Sequence, residues 1–420
     1  MTESPVVFST PIATRVAAAA ALAWLLAGCG SNGAGGAGAP QALMSPAGAG
    51  SGEPHLAVTD DGRAVLSWLE PTADGYALRF STLTDGGWSA PQVVASGTDF
   101  FVNWADFPSV QPITADVWAA HWLRMAEGSF ASYDIVLSLS TDGGRTWSDG
   151  ELLNRDGVLT EHGFASLFPW GGDIGAVWLD GRRLAEQFES GVVDPDVPVG
   201  TSLRFARIRY DGTVTERGEL DELVCDCCAT DAVVTDAGPA VVYRDRSPEE
   251  IRDIKLLRHI GSEWAAPVSV AADGWRIEGC PVNGPAIAAR GEEIAAAWFT
   301  AAEERPRLRL ARSTDGGATF APAIDVDGNR AFGYADVVLL DDGAAYVSWW
   351  RRGGAGGLAL AVRRVAPDGG LGEMRIVAES DVAQPLDVPQ MVAAGDRLVF
   401  VWTDAAEMRV KTAAMRLPRS

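Results

Sequence analysis

Seven segments of one form recur along this chain at a nearly constant interval, and that recurrence limits the fold more than any other feature. Each is an apolar run, a tight turn and a second apolar run closing on an aromatic residue: 55–68, 107–122, 164–178, 229–243, 284–298, 334–349 and 390–402. The closing aromatics, Trp68, Trp122, Trp178, Tyr243, Trp298, Trp349 and Trp402, fall 54, 56, 65, 55, 51 and 53 residues apart. Two β-rich runs around a turn predict a hairpin. A third apolar run follows each of the first six, as at 78–83 and 308–313, and then a short fourth, as at 92–95. Four strands at this period predict an all-β propeller of four-stranded blades, seven by this count, with six as the alternative. Two stacked sandwiches would give no reason for seven copies. The seventh unit stops after its third strand, so residues 41–45 are expected to supply the missing strand and close the ring, which would otherwise keep two unpaired edges.

The terminus before the repeats reads as a targeting segment. Arg15 precedes the apolar run 16–26, which is too short for a membrane span. Leu26-Ala27-Gly28-Cys29 resembles the lipobox of bacterial lipoproteins. The resemblance implies cleavage before Cys29, lipidation of its thiol and an extracytoplasmic place in the cell envelope, at the outer membrane in a Gram-negative host. The alternative is an ordinary signal peptide with an incidental cysteine. The expected organisation is a signal peptide at 1–28, a Gly/Ala/Ser-rich tether at 29–52 and the propeller at 53–420. A formal charge of −22 excludes nucleic acid as a partner and leaves the Cys29 lipid as the sole membrane contact.

Two turns are more specific than the repeat. Ser140-Thr-Asp-Gly-Gly-Arg-Thr-Trp147 and Ser313-Thr-Asp-Gly-Gly-Ala-Thr-Phe320 resemble the Asp box (BNR repeat) of sialidases and related propellers, and Thr84-Asp-Gly-Gly-Trp88 is a degenerate copy. The motif suits a turn, because the Asp side chain can bond local N–H groups and the glycines accept positive φ. The resemblance implies a sialidase-like propeller with Asp142 and Asp315 structural. It further implies Tyr334 as a nucleophile, Arg244 as one arginine of a carboxylate-binding triad and Asp134 as an acid/base; Asp180, a carboxylate at a second-strand exit, is the alternative acid/base. The chain departs from the family at the first inner strand, where neither Asp106-Phe107-Pro108 nor Glu53-Pro54-His55 has the arginine. Where the family places a glutamate in the unit carrying Arg244, this chain places cysteines.

In a hairpin the start of the first strand and the exit of the second lie at one end, so all seven units point to a common mouth. The starts bring His55, Asp106, His162, Cys225–Cys228, Cys280, Tyr334 and Asp336. The exits bring Asp180 with Arg182, then Arg244 and Arg246, then Trp350 with Arg351. Three arginine-rich exits on an acidic chain predict a mouth for an anionic small molecule or glycan, bound by Arg244, Arg246, Arg182, Arg351, Asp336 and Trp350. The alternative is that loop ends simply favour charges. The insertion 184–200 follows a second strand and reads as a lid over the mouth or a tolerated loop.

With Cys29 lipidated, Cys225, Cys227, Cys228 and Cys280 remain. In an exported protein they suggest two disulfides, with Cys280 reaching Cys225 or Cys228. The alternatives are a copper or zinc thiolate site with His162 as a further ligand, or a redox-active thiol pair. No P-loop, dinucleotide fingerprint, G-x-S-x-G elbow or HExxH is present, so no other cofactor is implied. Three functional classes stay open: a ligand-binding propeller, a glycoside hydrolase using Tyr334, and a cysteine-centred metal or redox protein.

Overall fold

The computed structural model describes residues 37–418 apart from 127, 130, 131 and 192–198, and the seven hairpins form the inner two strands of seven antiparallel sheets. Blade 1 is typical: Gly52–Val58, Ala64–Pro71, Tyr76–Thr84 and Gln92–Gly97 run in chain order from the axis outward. Second strands are buried on both faces between neighbouring blades, which is why Glu293–Thr300 reads as an almost unbroken apolar run. Third strands alternate: in Arg307–Ser313, Leu308 and Leu310 are buried while Arg307 and Arg309 are part-exposed.

The core is divided into seven apolar clusters, one between each pair of adjacent blades. Each closing aromatic is buried on its second strand. Five of them donate their ring N–H or O–H to a carboxylate. Trp68 pairs with Glu70, Trp178 with Asp180, Tyr243 with Asp221, Trp298 with Asp273 and Trp349 with Asp327, at 2.6–3.2 Å. A buried indole keeps its polar handle satisfied in this way.

The ring closes as the missing strand predicts. Gln41–Leu43 pairs antiparallel with Arg409–Arg416, Gln41 opposite Ala414, and becomes the outermost strand of blade 7. Gly38 N–H extends this pairing to the Arg416 carbonyl at 3.0 Å. The composition of 29–52 suggests a tether throughout, but from Gly38 onward its backbone is bonded to the propeller. Cys29 and the rest of the leader lie outside the described residues.

Both octapeptide turns join a third strand to a fourth, away from the axis, and they repeat bond for bond. Ser140 Oγ donates to Asp142 Oδ1 and accepts from Gly144 N–H, while Asp142 accepts from the N–H and hydroxyl of Thr146. Ser313, Asp315, Gly317 and Thr319 do the same. These bonds, first of all those from Thr146 and Thr319, hold both carboxyls down at about 2. The insertion after the third hairpin begins as a helix, Arg182–Ser190, an element absent from the sequence expectation. No helix among the described residues is long and apolar enough to cross a membrane.

Candidate functional site

The inner strands surround an axial cavity of about 530 Å³, and His55, Asp106, Phe164, Cys227, Asp231, Tyr334 and Gln390 contribute to its wall. Its size suits a small-molecule ligand. Side chains on these strands first serve the ring itself, each reaching a backbone group of the next blade. Asp106 Oδ1 accepts Phe164 N–H at 2.7 Å, Asp231 Oδ2 accepts Ile287 N–H at 2.9 Å and Asn283 Oδ1 accepts Tyr334 N–H at 2.8 Å. Asp336 Oδ2 accepts Met391 N–H at 2.5 Å and Gln390 Oε1 accepts Leu56 N–H at 2.7 Å. Asp336, expected from sequence to bind ligand, is half-buried on the cavity wall and also stitches blade 6 to blade 7. Burial pushes its carboxyl to about 7, Asp106 to about 8 and Asp231 to about 6.

Tyr334 sits at a bulge that recurs. Gly52-Glu53, Gly163-Phe164 and Gly333-Tyr334 each place the second residue at positive φ, 50°, 54° and 59°. Glycine is required before it at two of the three bulges: a Cβ on Gly163 would lie 1.9 Å from Asp106 Oδ2, and one on Gly333 1.8 Å from Asn283 Oδ1. The Tyr334 ring stands edge-on to Trp104, centroids 5.9 Å apart at 77°, and Trp104 is 39% exposed. Burial, then the charge of Cys228, pushes the Tyr334 phenol up to about 12.

The other catalytic candidates gather elsewhere. Asp134 accepts Asn154 Nδ2, and Asp180 is fully buried under Trp178 and Arg182. Neither lines the cavity wall that Tyr334 lines. Around them, His162 Nε2 lies 2.9 Å from Asp156 Oδ2, and Arg182 Nη2 contacts Asp156 and Asp180 at 2.5 and 2.6 Å. Asp156, His162 and Asp180 are close enough to share a cation. The Arg182 guanidinium already supplies the positive charge, and His162 Nδ1 faces the Tyr133 carbonyl at 3.2 Å. With both ring nitrogens engaged there, His162 does not join the cysteines, contrary to the sequence expectation. Burial opposes ionisation throughout this knot, yet the bonds and charges within it carry Asp156 down to about 2 and raise His162.

The arginine-rich exits are neutralised. Arg246 pairs with Glu250 at 2.7 Å and Asp226 at 3.3 Å, and Arg351 with Asp327 at 3.0 Å. Arg244 is buried, and its three donor nitrogens bond the carbonyls of Asn283, Arg252 and Phe299 at 2.7–2.8 Å. Its guanidinium also stacks on Trp275 at 4.9 Å. Trp350 is buried among Leu358, Leu360 and Met391 rather than presented to the mouth. The arginines expected to clamp an anion thus spend their charge on the protein, because acidic or carbonyl partners arrive from other loops.

The four cysteines do converge. Cys227 and Cys280 form a disulfide with Cα atoms 6.1 Å apart, whereas Cys225 and Cys228 are buried free thiols. Cys280 meets Cys227 and not Cys225 or Cys228, both of which are buried. The disulfide also removes Cys227 and Cys280 from a thiolate donor set for copper or zinc, leaving two of the four sulfurs. The sulfurs of Cys225, Cys227 and Cys228 lie within 4.8 Å of one another, with Cys225 Sγ 3.9 Å from Cys227 Sγ. A hydrogen bond from Cys228, aided by Arg244, the Cys227 N–H and Arg252 against the effect of burial, lowers the Cys225 thiol to about 7. Burial and the neighbouring Cys225 push Cys228 well up. Arg252, buried and paired with Glu250, was not singled out in the sequence, and neither were Trp104 and Asp156. The one available signal was position: Asp106 and Asn283 each stand three residues before an inner strand.

No protein-family model matches the chain, and no curated protein matches it. Among solved structures, a Dyadobacter fermentans protein of unknown function aligns at a TM-score of 0.48 and 12% identity, over 91% of this chain and 98% of that one. An alpha-L-arabinanase of Penicillium chrysogenum, solved with arabinobiose, aligns at 0.46 and 14%, over 91% and 97%. A Hadza microbial sialidase aligns at 0.41 and 15%, over 71% of this chain and 63% of that one. At such identities the likeness is one of fold.

Proposed function

We propose that the protein is a lipid-anchored, extracytoplasmic propeller that binds a saccharide at the mouth of its axial cavity. The observation that carries this reading is the exposed Trp104 standing edge-on to Tyr334, which forms the cavity wall. An exposed indole beside a phenol offers an apolar face for a sugar ring, with polar side chains such as Asp336 and Gln390 on the cavity wall. Since Arg182, Arg246 and Arg351 are each ion-paired, a neutral saccharide fits better than the anionic one their number suggested. Turnover is not favoured: a tyrosine nucleophile needs a neighbouring base, and the group that perturbs Tyr334 after burial is a thiol. The test is calorimetric titration with neutral oligosaccharides, including arabino-oligosaccharides, and with a sialoside. Binding of a neutral saccharide, weakened at least about tenfold by Trp104→Ala, is expected for a lost stacking contact. Affinity unchanged in that variant, or hydrolysis of the sialoside abolished by Tyr334→Phe, would overturn the reading.

A further inference from the structure

The cysteine cluster contains a C-x-x-C dithiol, Cys225 and Cys228, set against a closed disulfide whose far end is at the surface. Cys225 and Cys228 are buried, Cys227 is half-buried and Cys280 is exposed. Three features make this more than a staple. The Cys225 sulfur lies 3.9 Å from Cys227 Sγ, the near end of the disulfide. Positive charge is concentrated behind Cys225: among the described residues Arg244 has no carboxylate within ion-pair distance, and Arg252 Nε and Nη1 make no hydrogen bond. Against the two buried guanidiniums stand Glu250, 2.7 Å from Arg252, and the more distant Asp226 at 4.0 Å, so a thiolate at Cys225 adds to the balance of charge. Cys228, whose proton burial retains, can donate to that thiolate and follow it as the second nucleophile.

We propose that these four cysteines form a thiol–disulfide exchange centre that carries an electron pair from the buried Cys225/Cys228 dithiol to the exposed Cys280, for delivery to an external disulfide. Cys225 thiolate attacks Cys227 Sγ. A Cys225–Cys227 bond forms, and the Cys227–Cys280 bond breaks with its electron pair on Cys280 Sγ. Cys228 gives up its proton to solvent and attacks Cys225 Sγ, forming Cys225–Cys228 and expelling Cys227 as a thiolate. Two thiols have been consumed and two produced, so this internal step needs no oxidant. Cys280 thiolate then attacks an external disulfide RSSR, forming a Cys280–SR mixed disulfide and releasing one RS⁻. Cys227 attacks Cys280 Sγ, restores the original bond and releases the second RS⁻. The net reaction converts one RSSR and the buried dithiol into two RSH and a Cys225–Cys228 disulfide. The substrate class is a low-molecular-weight or peptide disulfide, since Cys280 is reached from solvent. Exchange of this kind proceeds through in-line attack by a thiolate on a disulfide sulfur.

The test uses the purified protein with its Cys227–Cys280 bond closed and oxidised glutathione as the probe. After incubation, acid quenching and alkylation, released glutathione is counted and the disulfides are mapped by mass spectrometry. Two glutathione thiols per protein and a new Cys225–Cys228 linkage are expected. Cys228→Ser should stop halfway, releasing one glutathione, carrying one on Cys280 and holding a Cys225–Cys227 bond. If that variant fails to fold, Cys228→Ala serves in its place, with thermal melting as the check. Wild-type thiols that stay free, or glutathione found on Cys225 with Cys227–Cys280 intact in the variant, would overturn the proposal. So would thiols blocked by a copurifying copper or zinc ion and released by a chelator.

Discussion

The carboxamide oxygen of Asn283 accepts the backbone N–H of Tyr334 at 2.8 Å, across the boundary between blades 5 and 6. Asp106 makes the same bond to Phe164 at 2.7 Å between blades 2 and 3, each time beside a glycine that leaves room for it. The chain therefore contains its own comparison of a neutral amide and a carboxylate in one role. Burial pushes Asp106 up to about 8, and its Oδ2 has no hydrogen-bond partner among the described residues. Asp106→Asn is expected to stabilise the protein already at pH 6, where the unfolded carboxyl is ionised, and to stabilise it by a further amount on the order of 2–3 kcal/mol at pH 9. Urea unfolding at the two pH values measures the difference; equal effects at both would show that Asp106 is ionised throughout.

The same physics predicts a falling stability on the alkaline side. Burial pushes Glu53, Asp336 and Asp387 to about 7 and Asp106 to about 8, above their unfolded values near 4. In this range the native state binds more protons than the unfolded chain, so stability is lost as pH rises through the folded values. His162, raised by its carboxylates, adds to the loss. Buried His55 and His121, lowered to about 3 and 4, oppose the trend only below their unfolded value near 6.5. Cys225 alone runs the other way above pH 7. The unfolding midpoint should therefore drop between pH 6.5 and 8.5, and a midpoint that rises over that interval would contradict the burial of these carboxyls.

What the sequence revealed and hid follows from the range of the interactions involved. The hairpins were legible because period-2 apolar runs and turn residues are local, and closure by residues 41–45 followed from the strand missing in blade 7. The convergence of Cys280 on the triple cysteine followed from topology alone. The fate of the arginines was hidden: Arg182 meets Asp156 from a loop 26 residues earlier, and Arg351 meets Asp327 from the preceding blade. The role of Asp336 was equally hidden, since its partner is a backbone N–H 55 residues ahead. A charge count at strand ends cannot tell a free guanidinium from a paired one.

Closure by Gln41–Leu43 makes a prediction for truncation. The strand pairs with Arg409–Arg416, its Leu43 carbonyl accepts from Thr412 Oγ1, and Arg375 reaches the Gly38 carbonyl at 3.1 Å. A chain beginning at residue 46 exposes the Arg409–Arg416 edge, a template for pairing with a second molecule. Such a truncation should melt several degrees lower and show concentration-dependent association by light scattering. A monomeric truncation with an unchanged melt would mean that the ring does not depend on this strand.

Arg244 and Arg246 lie two residues apart and should respond very unequally to substitution. Arg244 spreads three donors over three buried carbonyls and stacks on Trp275. A lysine places one ammonium where the fork had three directions, so at least two carbonyls lose their partner at a cost of about 1–3 kcal/mol each. Arg244→Lys should thus destabilise the protein by about 3 kcal/mol in urea unfolding and raise the Cys225 thiol, read as slower alkylation near pH 7. Arg246 is part-exposed and holds Glu250 in water's reach, so Arg246→Gln should cost about 1 kcal/mol or less. If Arg244 instead served a ligand, the lysine variant would keep its stability and lose saccharide binding, and the two readouts taken together separate the roles.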